Sequence, residues 1–173
     1  MNIVIIGRGG FSYVVEEELS KLGSYNVVGY MDASIEVSHI KENRYYLKMF
    51  DLDYIKDDIY YFIAIGNIEV RRKIVEQLNI PSNRFITIIS RDAYVSSSVE
   101  IGNGSYIGPG TIINANTIIG SHTTINTRVT IEHNSKIGDF CLINTSSTLY
   151  SHTTIESNSV VKVGSVIVVR QPE

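Results

Sequence analysis

Three stretches of this 173-residue chain carry residues that can do chemistry. The first runs from Thr130 to Cys141, Thr-Ile-Glu-His-Asn-Ser-Lys-Ile-Gly-Asp-Phe-Cys, and holds His133 between Glu132 and Asn134. An imidazole changes charge at about pH 6.5, so it can move a proton under neutral conditions. The second is Gly7-Arg8-Gly9-Gly10-Phe11-Ser12. It lies between the apolar run Asn2–Ile6, a buried strand by its pattern, and a helical pattern over 13–22 that stops at Gly23. A strand, a glycine turn and a helix start can offer backbone N–H groups to a phosphate. The dinucleotide fingerprint Gly-x-Gly-x-x-Gly is only partly met, because Ser12 takes the last place. A plain tight turn remains the other reading. The third is Asp32, which ends a second strand over 26–31. An acid there can accept hydrogen bonds from a ribose or a base, or simply start a turn.

These residues sit in two different frames. The later one is a repeat. Counting in sixes from Val95 meets Ile101, Ile107, Ile113, Ile119, Ile125, Ile131, Ile137, Ile143, Leu149, Ile155, Val161 and Ile167, with no slip. A sustained period of six is neither helical nor that of a lone strand. It fits a coiled sheet in which three short strands and three corners close a turn of eighteen residues. Ile113, Ile131 and Leu149 then stack in one inward column. Two places before each aliphatic stands a small or β-branched residue, Ser105, Thr111, Thr117 and Thr123 among them, as a tight corner would select. Gly or Asn often follows the aliphatic, at Gly102, Gly108, Asn114, Gly120, Asn126, Gly138 and Asn144, types that tolerate turn conformations. Cys141 occupies one of the small slots and reads as a packed residue rather than a catalytic thiol. His122 and His152 read as surface corners, with His152 one coil on from His133 and within reach of it.

The earlier frame alternates strands and helices. A third strand spans 59–65 and closes on Gly66-Asn67, a helix follows over 69–78, and Arg84 to Ile89 reads as a further strand after Pro81. Such alternation predicts a small parallel α/β unit. Ligands bind at the carboxyl ends of strands in such sheets, where the glycine turn, Asp32 and Gly66–Asn67 would share a cleft. Arg71, Arg72 and Lys73 read as a solvated face, with Arg71 near enough to the helix start to reach a phosphate. Residues 33–58, with His39, resist assignment. The boundary is expected near 90–92, giving domains 1–90 and 91–173. The composition is 43% hydrophobic and 19% charged with a net charge of −3, which offers no basic field for nucleic acid. A single cysteine excludes an intramolecular disulfide and any multi-cysteine metal site. No apolar run nears the roughly 20 residues that span a bilayer, and no charged leader precedes the first strand. A cytoplasmic protein is expected, with no metal, since three or four convergent ligands are not supplied.

Together these motifs resemble the PglD/NeuD-like sugar O- and N-acetyltransferases. The matching stretches are Ile-Val-Ile-Ile-Gly-x-Gly-Gly at 3–10, Val-Val-Gly-Tyr-Met-Asp at 27–32, Phe-Ile-Ala-Ile-Gly-Asn at 62–67 with Arg71, Ile-Asn-Thr at 125–127 and Ile-Glu-His-Asn-Ser-Lys-Ile-Gly-Asp-Phe at 131–140. The resemblance implies an α/β Rossmann-like N-terminal domain followed by an all-β left-handed parallel β-helix of hexapeptide repeats. It implies an acetyl-CoA-dependent transfer to a UDP-linked amino sugar, N-acetylation somewhat ahead of O-acetylation, in bacterial glycan biosynthesis. Gly7, Gly9, Gly10 and Phe11 would line the nucleotide pocket, with Asp32, Ile65, Gly66, Asn67 and Arg71 around it and Asn126 near the sugar. His133 would be the general base, flanked by Glu132 and Asn134. Asn144 and Ser151 would contact acetyl-CoA in a groove between the subunits of a homotrimer, and Lys162 or Arg170 could meet a CoA phosphate.

Three departures stand out. Relatives often place an acid directly after the histidine, where this chain has Asn134. They often carry a second histidine nine places on, where it has Leu142. The repeat degrades after Leu149, through Tyr150, Glu156, Lys162 and Val168, and ends without the family's closing coils. These departures keep two other readings open: a non-catalytic nucleotide-sugar-binding or assembly protein, and an acyltransferase with a different acyl donor.

Overall fold

A computed structural model describes residues 1–55 and 58–168. The chain divides into two units, Met1–Ile86 and Thr87–Glu173. The division falls ahead of the expected 90/91 because Ile88–Ile89 is already the first rung of the second unit.

In the first unit, β1 (Asn2–Ile6), β2 (Asn26–Asp32), β4 (Arg44–Lys48) and β5 (Ile59–Ile63) are parallel, and β3 (His39–Lys41) runs antiparallel to β4. The sheet order is β3-β4-β2-β1-β5. β1 lies inside the sheet between β2 and β5 and is buried on both faces, which explains why Ile3–Ile6 reads as an unbroken apolar run. Helix α1 (Gly10–Leu22) starts three residues ahead of its apolar pattern. It buries Ser12, Val15, Glu18 and Leu19 and leaves Val14 exposed. Gly23, at φ 71°, closes it and donates its N–H to the Leu19 carbonyl. Helix α2 (Ile68–Leu78) packs Ile74 and Leu78 against β5 and ends on left-handed Asn79. The expected strand at 84–89 is divided. Ser82–Arg84 is a 3-10 turn, Phe85 bridges to Tyr61 of the α/β sheet, and Ile88–Ile89 belongs to the coil. The unassigned segment supplies β3, β4 and a 3-10 turn at Leu52–Tyr54. β4 joins the sheet directly, setting Tyr45 against Gly29 and Leu47 against Met31.

The second unit is a left-handed parallel β-helix of two-residue strands, from Ile88–Ile89 to Val166–Ile167. Three sheets form its faces, and strands eighteen residues apart pair in register, Ile113 with Ile131 and Ile131 with Leu149. The sixfold aliphatics from Ile107 to Leu149 are at most 2% exposed. At ~1.5–3 kcal/mol for each fully buried aliphatic, this column is the main source of the coil's stability.

Two features of the corners differ from their sequence reading. Positive φ falls three places after the aliphatic, at Asn116, His122, Arg128, Asn134, Phe140, Ser146, His152 and Asn158, not one place after. The glycines directly after the aliphatics answer a different need. A Cβ on Gly120 would stand 2.6 Å from the Asp139 N of the next coil. The small slots, in turn, are chosen for chemistry as well as size. The Ser105, Thr111, Thr123 and Ser147 hydroxyls donate to carbonyls fifteen residues on, at 2.7–2.8 Å. Cys141 follows suit, its thiol donating to the Glu156 carbonyl at 3.1 Å.

Candidate active site

In the α/β unit the carboxyl ends of β1, β2 and β5 carry the expected cleft residues. Gly7 has φ 102°, and a Cβ there would lie 2.7 Å from Ile65 Cγ1 and 3.0 Å from the Ala64 carbonyl oxygen. Only glycine lets the first turn pass so close to β5. Gly9 and Gly10 face open space, with nothing within 4 Å of a built Cβ. Gly9 caps α1 without a side chain, which leaves first-turn N–H groups directed outward, an anion-binding arrangement. Ser12 sits where the fingerprint has its third glycine. It is 3% exposed, and its hydroxyl donates to the Gly9 carbonyl at 2.7 Å, so it tightens the turn rather than opening it. Phe11 is half-buried, with its ring edge-on to Phe62 at 6.3 Å.

Asp32 ties two loops together. Its Oδ2 accepts from the Arg8 N–H at 2.8 Å, and its Oδ1 accepts from the Ser34 N–H at 2.8 Å and the Ser34 hydroxyl at 2.6 Å. Desolvation pushes this carboxyl up, but the hydrogen bonds from Ser34 and Arg8 and the Arg8 charge outweigh it and hold it below the usual range. A carboxylate oxygen accepts about two such bonds, so Oδ1 is filled and Oδ2 retains one acceptor position. That position fits a ribose hydroxyl.

Beyond Asp32 opens a cleft of about 630 Å³ lined by Arg8, Ser34, Ile35, Glu36, Val37, His39, Lys41 and Tyr46. The Arg8 guanidinium stands 5.3 Å from the Tyr30 ring and 5.4 Å from the Tyr46 ring, and His39 stacks on Tyr46 at 5.2 Å. Burial pushes the Tyr30 hydroxyl up to about 12, so the phenol stays neutral under the guanidinium. The sequence reading missed this wall, because His39 and Tyr46 come from the unassigned segment. Asp32-Ala-Ser34, a turn signature just after a strand, was the available signal.

Two expected cleft residues serve the scaffold. The Asn67 side chain accepts from the Val70 N–H at 3.0 Å and so caps α2. Arg71 is not part of a solvated face reaching for phosphate. It is 1% exposed, and its Nη1 donates to the Ile65 carbonyl at 2.7 Å. It therefore fixes the Ile65–Gly66 segment that follows β5. Gly66 itself is open.

In the coil, His133 is exposed on the corner after Thr130–Ile131. Asn134, left-handed at φ 56°, puts its Nδ2 2.8 Å from His133 Nδ1. In this orientation the amide donates to Nδ1 and the ring proton sits on Nε2. Rotating the amide by half a turn would present its oxygen to an Nδ1–H and free the Nε2 lone pair. A neutral amide can thus orient the ring, but it stabilises an imidazolium less than a carboxylate does. Glu132 does not take over that task. Its Oε2 accepts from Asn114 Nδ2 of the previous coil at 2.9 Å, and no hydrogen bond joins it to His133 among the described residues. Glu132 directly follows the strand Thr130–Ile131, whereas His133 already lies in the turn. Below His133 on the same edge lie half-buried Ser151 and exposed His152. The His152 ring meets the His133 ring nearly at right angles, with centroids 5.5 Å apart.

Asn126 and Asn144 stand on another edge, where Asn126 Nδ2 donates to Asn144 Oδ1 at 3.3 Å and Asn144 Nδ2 to the Val161 carbonyl at 2.8 Å. Leu142 is on another face again, because nine places are one and a half repeats. Within one copy, therefore, the asparagine ladder and His133 do not converge. Lys162 is exposed, and Arg170 lies outside the described residues. Among the described residues no three His, Cys, Asp or Glu side chains group as for a metal, and no helix is long and apolar enough to cross a membrane.

Comparison with known proteins bears on both units. Residues 2–78 match the PglD N-terminal domain, and residues 98–133 match the bacterial transferase hexapeptide of six repeats. The UDP-N-acetylbacillosamine N-acetyltransferase of Bacillus subtilis (strain 168) is 29% identical over 107 residues, 60% of this chain and 50% of that protein. The chain thus spans about half the length of the curated relative it matches. A histidine-to-asparagine variant of perosamine N-acetyltransferase from Caulobacter crescentus, solved with CoA and GDP-perosamine, superposes with a TM-score of 0.78 at 25% identity, over 97% of this chain and 89% of that one. WeeI from Acinetobacter baumannii AYE has the same fold, with a TM-score of 0.83 at 22% identity over 99% of this chain and 83% of its own. With a PglD-type α/β unit followed by a hexapeptide coil, the chain is similar in both units, and in their order, to PglD-like sugar acetyltransferases.

Proposed function

We propose that this protein transfers the acetyl group of acetyl-CoA to the amine of a UDP-linked amino sugar, with His133 as general base. The observation that carries the reading is His133 itself. It is an exposed imidazole on a coil corner, held at Nδ1 by Asn134, in a chain whose relatives are named for amino-sugar N-acetylation. As the sugar amine attacks the thioester carbonyl, the new C–N bond leaves the nitrogen with an excess proton. With the Asn134 amide turned so that its oxygen accepts the Nδ1–H, His133 accepts that proton at Nε2, the tetrahedral adduct collapses, and the proton returns to the departing CoA thiolate. No covalent enzyme intermediate is required.

The α/β cleft would hold the nucleotide. The open Gly9–Gly10 turn suits a diphosphate, the spare acceptor of Asp32 suits a ribose, and the Tyr30–Arg8–Tyr46 wall suits a base. The relatives differ in nucleotide: UDP stands in the name of one, and the other was solved with GDP-perosamine. The UDP reading follows the curated relative. A homotrimer in the cytoplasm completes the proposal. A second copy could bring its Asn126–Asn144 edge beside His133, which one copy alone does not do.

The test is CoA thiol release with acetyl-CoA and a panel of UDP- and GDP-linked amino sugars, run beside His133→Ala. Release that requires both a UDP-amino sugar and His133 is the expected result. Release with the GDP series alone would move the nucleotide assignment. Sugar binding with no thiol release would favour the non-catalytic reading, to which Leu142, an apolar residue where relatives often have a second histidine, lends support.

A further inference from the structure

Two histidines occupy equivalent corners of the coil in different surroundings. His122 and His152 both take the left-handed conformation, at φ 53° and 62°. Gly and Asn carry such a φ at least cost. The coil uses them at Gly104, Gly110, Asn116, Asn134, Asn158 and Gly164. His122 has a packing reason for its place. It is 5% exposed and lies flat on Phe140, with centroids 5.0 Å apart and ring planes 14° apart. His152 has no such burial. It is exposed, and its ring contact among the described residues is His133, edge to face at 5.5 Å and 84°. The backbone keeps the two in register, since the His152 N–H donates to the His133 carbonyl at 3.1 Å.

We infer that His152 is a positioning residue for His133: it walls one side of that ring and keeps its Nε2 edge aimed at the reacting amine. The inference rests on the general-base reading of His133. A single hydrogen bond at Nδ1 fixes one edge of an exposed imidazole but lets the ring swing about that contact. A second ring set across it in the edge-to-face arrangement that aromatic quadrupoles favour removes the swing. The carboxylate that would otherwise anchor the ring is absent, because Asn134 stands in its place and Glu132 is engaged by Asn114. Among the described residues no third His, Cys, Asp or Glu joins the pair, and two imidazoles are fewer than the three protein ligands a zinc site uses.

The test separates ring, nitrogen and fold. His152→Asn keeps the corner, as Asn116 and Asn134 do in the same column, and removes the ring. Its Tm should match wild type and its KM for both substrates should stay within ~2-fold, while kcat falls ~10- to 100-fold. His152→Phe restores a ring without a nitrogen and should recover most of that kcat. Imidazole signals of selectively labelled His133, followed by NMR, should shift in His152→Asn and return toward wild type in His152→Phe. Wild-type kcat in His152→Asn, an unmoved His133 signal, or a His152→Phe as slow as His152→Asn would each overturn the positioning role. A wild-type protein that releases no thiol with any acceptor would bring down the acetyltransferase reading and this role together. An active wild type with an equally active His152→Asn would bring down this role alone.

Discussion

The two units hold their candidate functional residues in opposite ways. In the coil, the groups that hold the fold point inward or into the corners, and the groups that could react point out. His133 is exposed, while the aliphatic column and the hydroxyl slots beneath it are buried. In the α/β unit the same residues do both jobs. Asp32 joins the glycine turn to the loop after β2, Asn67 caps α2, Arg71 holds the segment that follows β5, and Gly7 is squeezed against Ile65. Mutations should therefore separate activity from stability in the coil and mix them in the α/β unit.

The largest separation is expected at His133. His133→Ala should lower thiol release by ~10²- to 10⁴-fold, the usual contribution of a general base, with no change in Tm. A fall in Tm of several degrees would mean that the corner depends on this side chain, and the contrast between the units would weaken.

The converse experiment in the coil is Thr123→Val. The Thr123 hydroxyl donates to the Gly138 carbonyl at 2.7 Å and accepts from the Cys141 N–H at 3.0 Å, in a fully buried position. Valine has the same shape and strands both backbone groups, at a cost on the order of 2–4 kcal/mol. Chemical denaturation should read that loss, while kcat at a temperature where the variant is folded stays at the wild-type level.

How far the sequence revealed this follows the same division. The coil was legible because each buried side chain recurs every six residues, so one rule predicted strand after strand. What that rule could not convey was the partner of each slot. Size alone predicted Ser, Thr and Cys at the corners, yet the hydroxyl's carbonyl lies fifteen residues on and appears only once the coil is closed. The same limit concealed the true left-handed positions, since His122, Arg128 and Phe140 are not residue types that announce a positive φ. In the α/β unit the strands at 2–6 and 59–65 were plain from their apolar runs, the second ending two residues earlier, at Ile63. The cleft wall was not, because His39–Lys41 is exposed throughout and Arg44–Lys48 buries only Leu47, leaving no periodicity to find. Arg71 misled for a related reason, because a charged residue heading a run of three on a helix is ordinarily solvated.

Asp32→Asn tests the mixed behaviour of the α/β unit. The substitution keeps the shape, loses a charged acceptor, and turns an amide N–H toward groups that now donate. Nucleotide-sugar affinity should drop about tenfold, a loss of roughly 1.4 kcal/mol, and Tm should fall with it. The pH dependence carries its own signature. The folded carboxyl titrates below its unfolded value of about 3.9, so its stabilisation is complete above that pH and disappears as the pH falls through the folded pKa. The Tm gap between wild type and variant should be constant at neutral pH and close below about pH 4. A gap that persists in acid would show that the variant's cost is steric rather than electrostatic.

The smallest effect is expected at Cys141, and it sharpens the contrast most cleanly. A catalytic thiol would need exposure and a thiolate, whereas this one is fully buried and donates to the Glu156 carbonyl. It does with sulfur what Ser105, Thr123 and Ser147 do with oxygen in equivalent slots. Serine should therefore replace it within ~0.5–1 kcal/mol in stability, the smaller side chain being offset by a stronger donor, with kcat unchanged. Cys141→Val removes the donor and leaves the Glu156 carbonyl without it, so it should be less stable than Cys141→Ser although it is the more hydrophobic replacement. If valine proved the more stable, the slots would be governed by packing volume alone, and the hydroxyl ladder would be a consequence of the coil rather than a support for it.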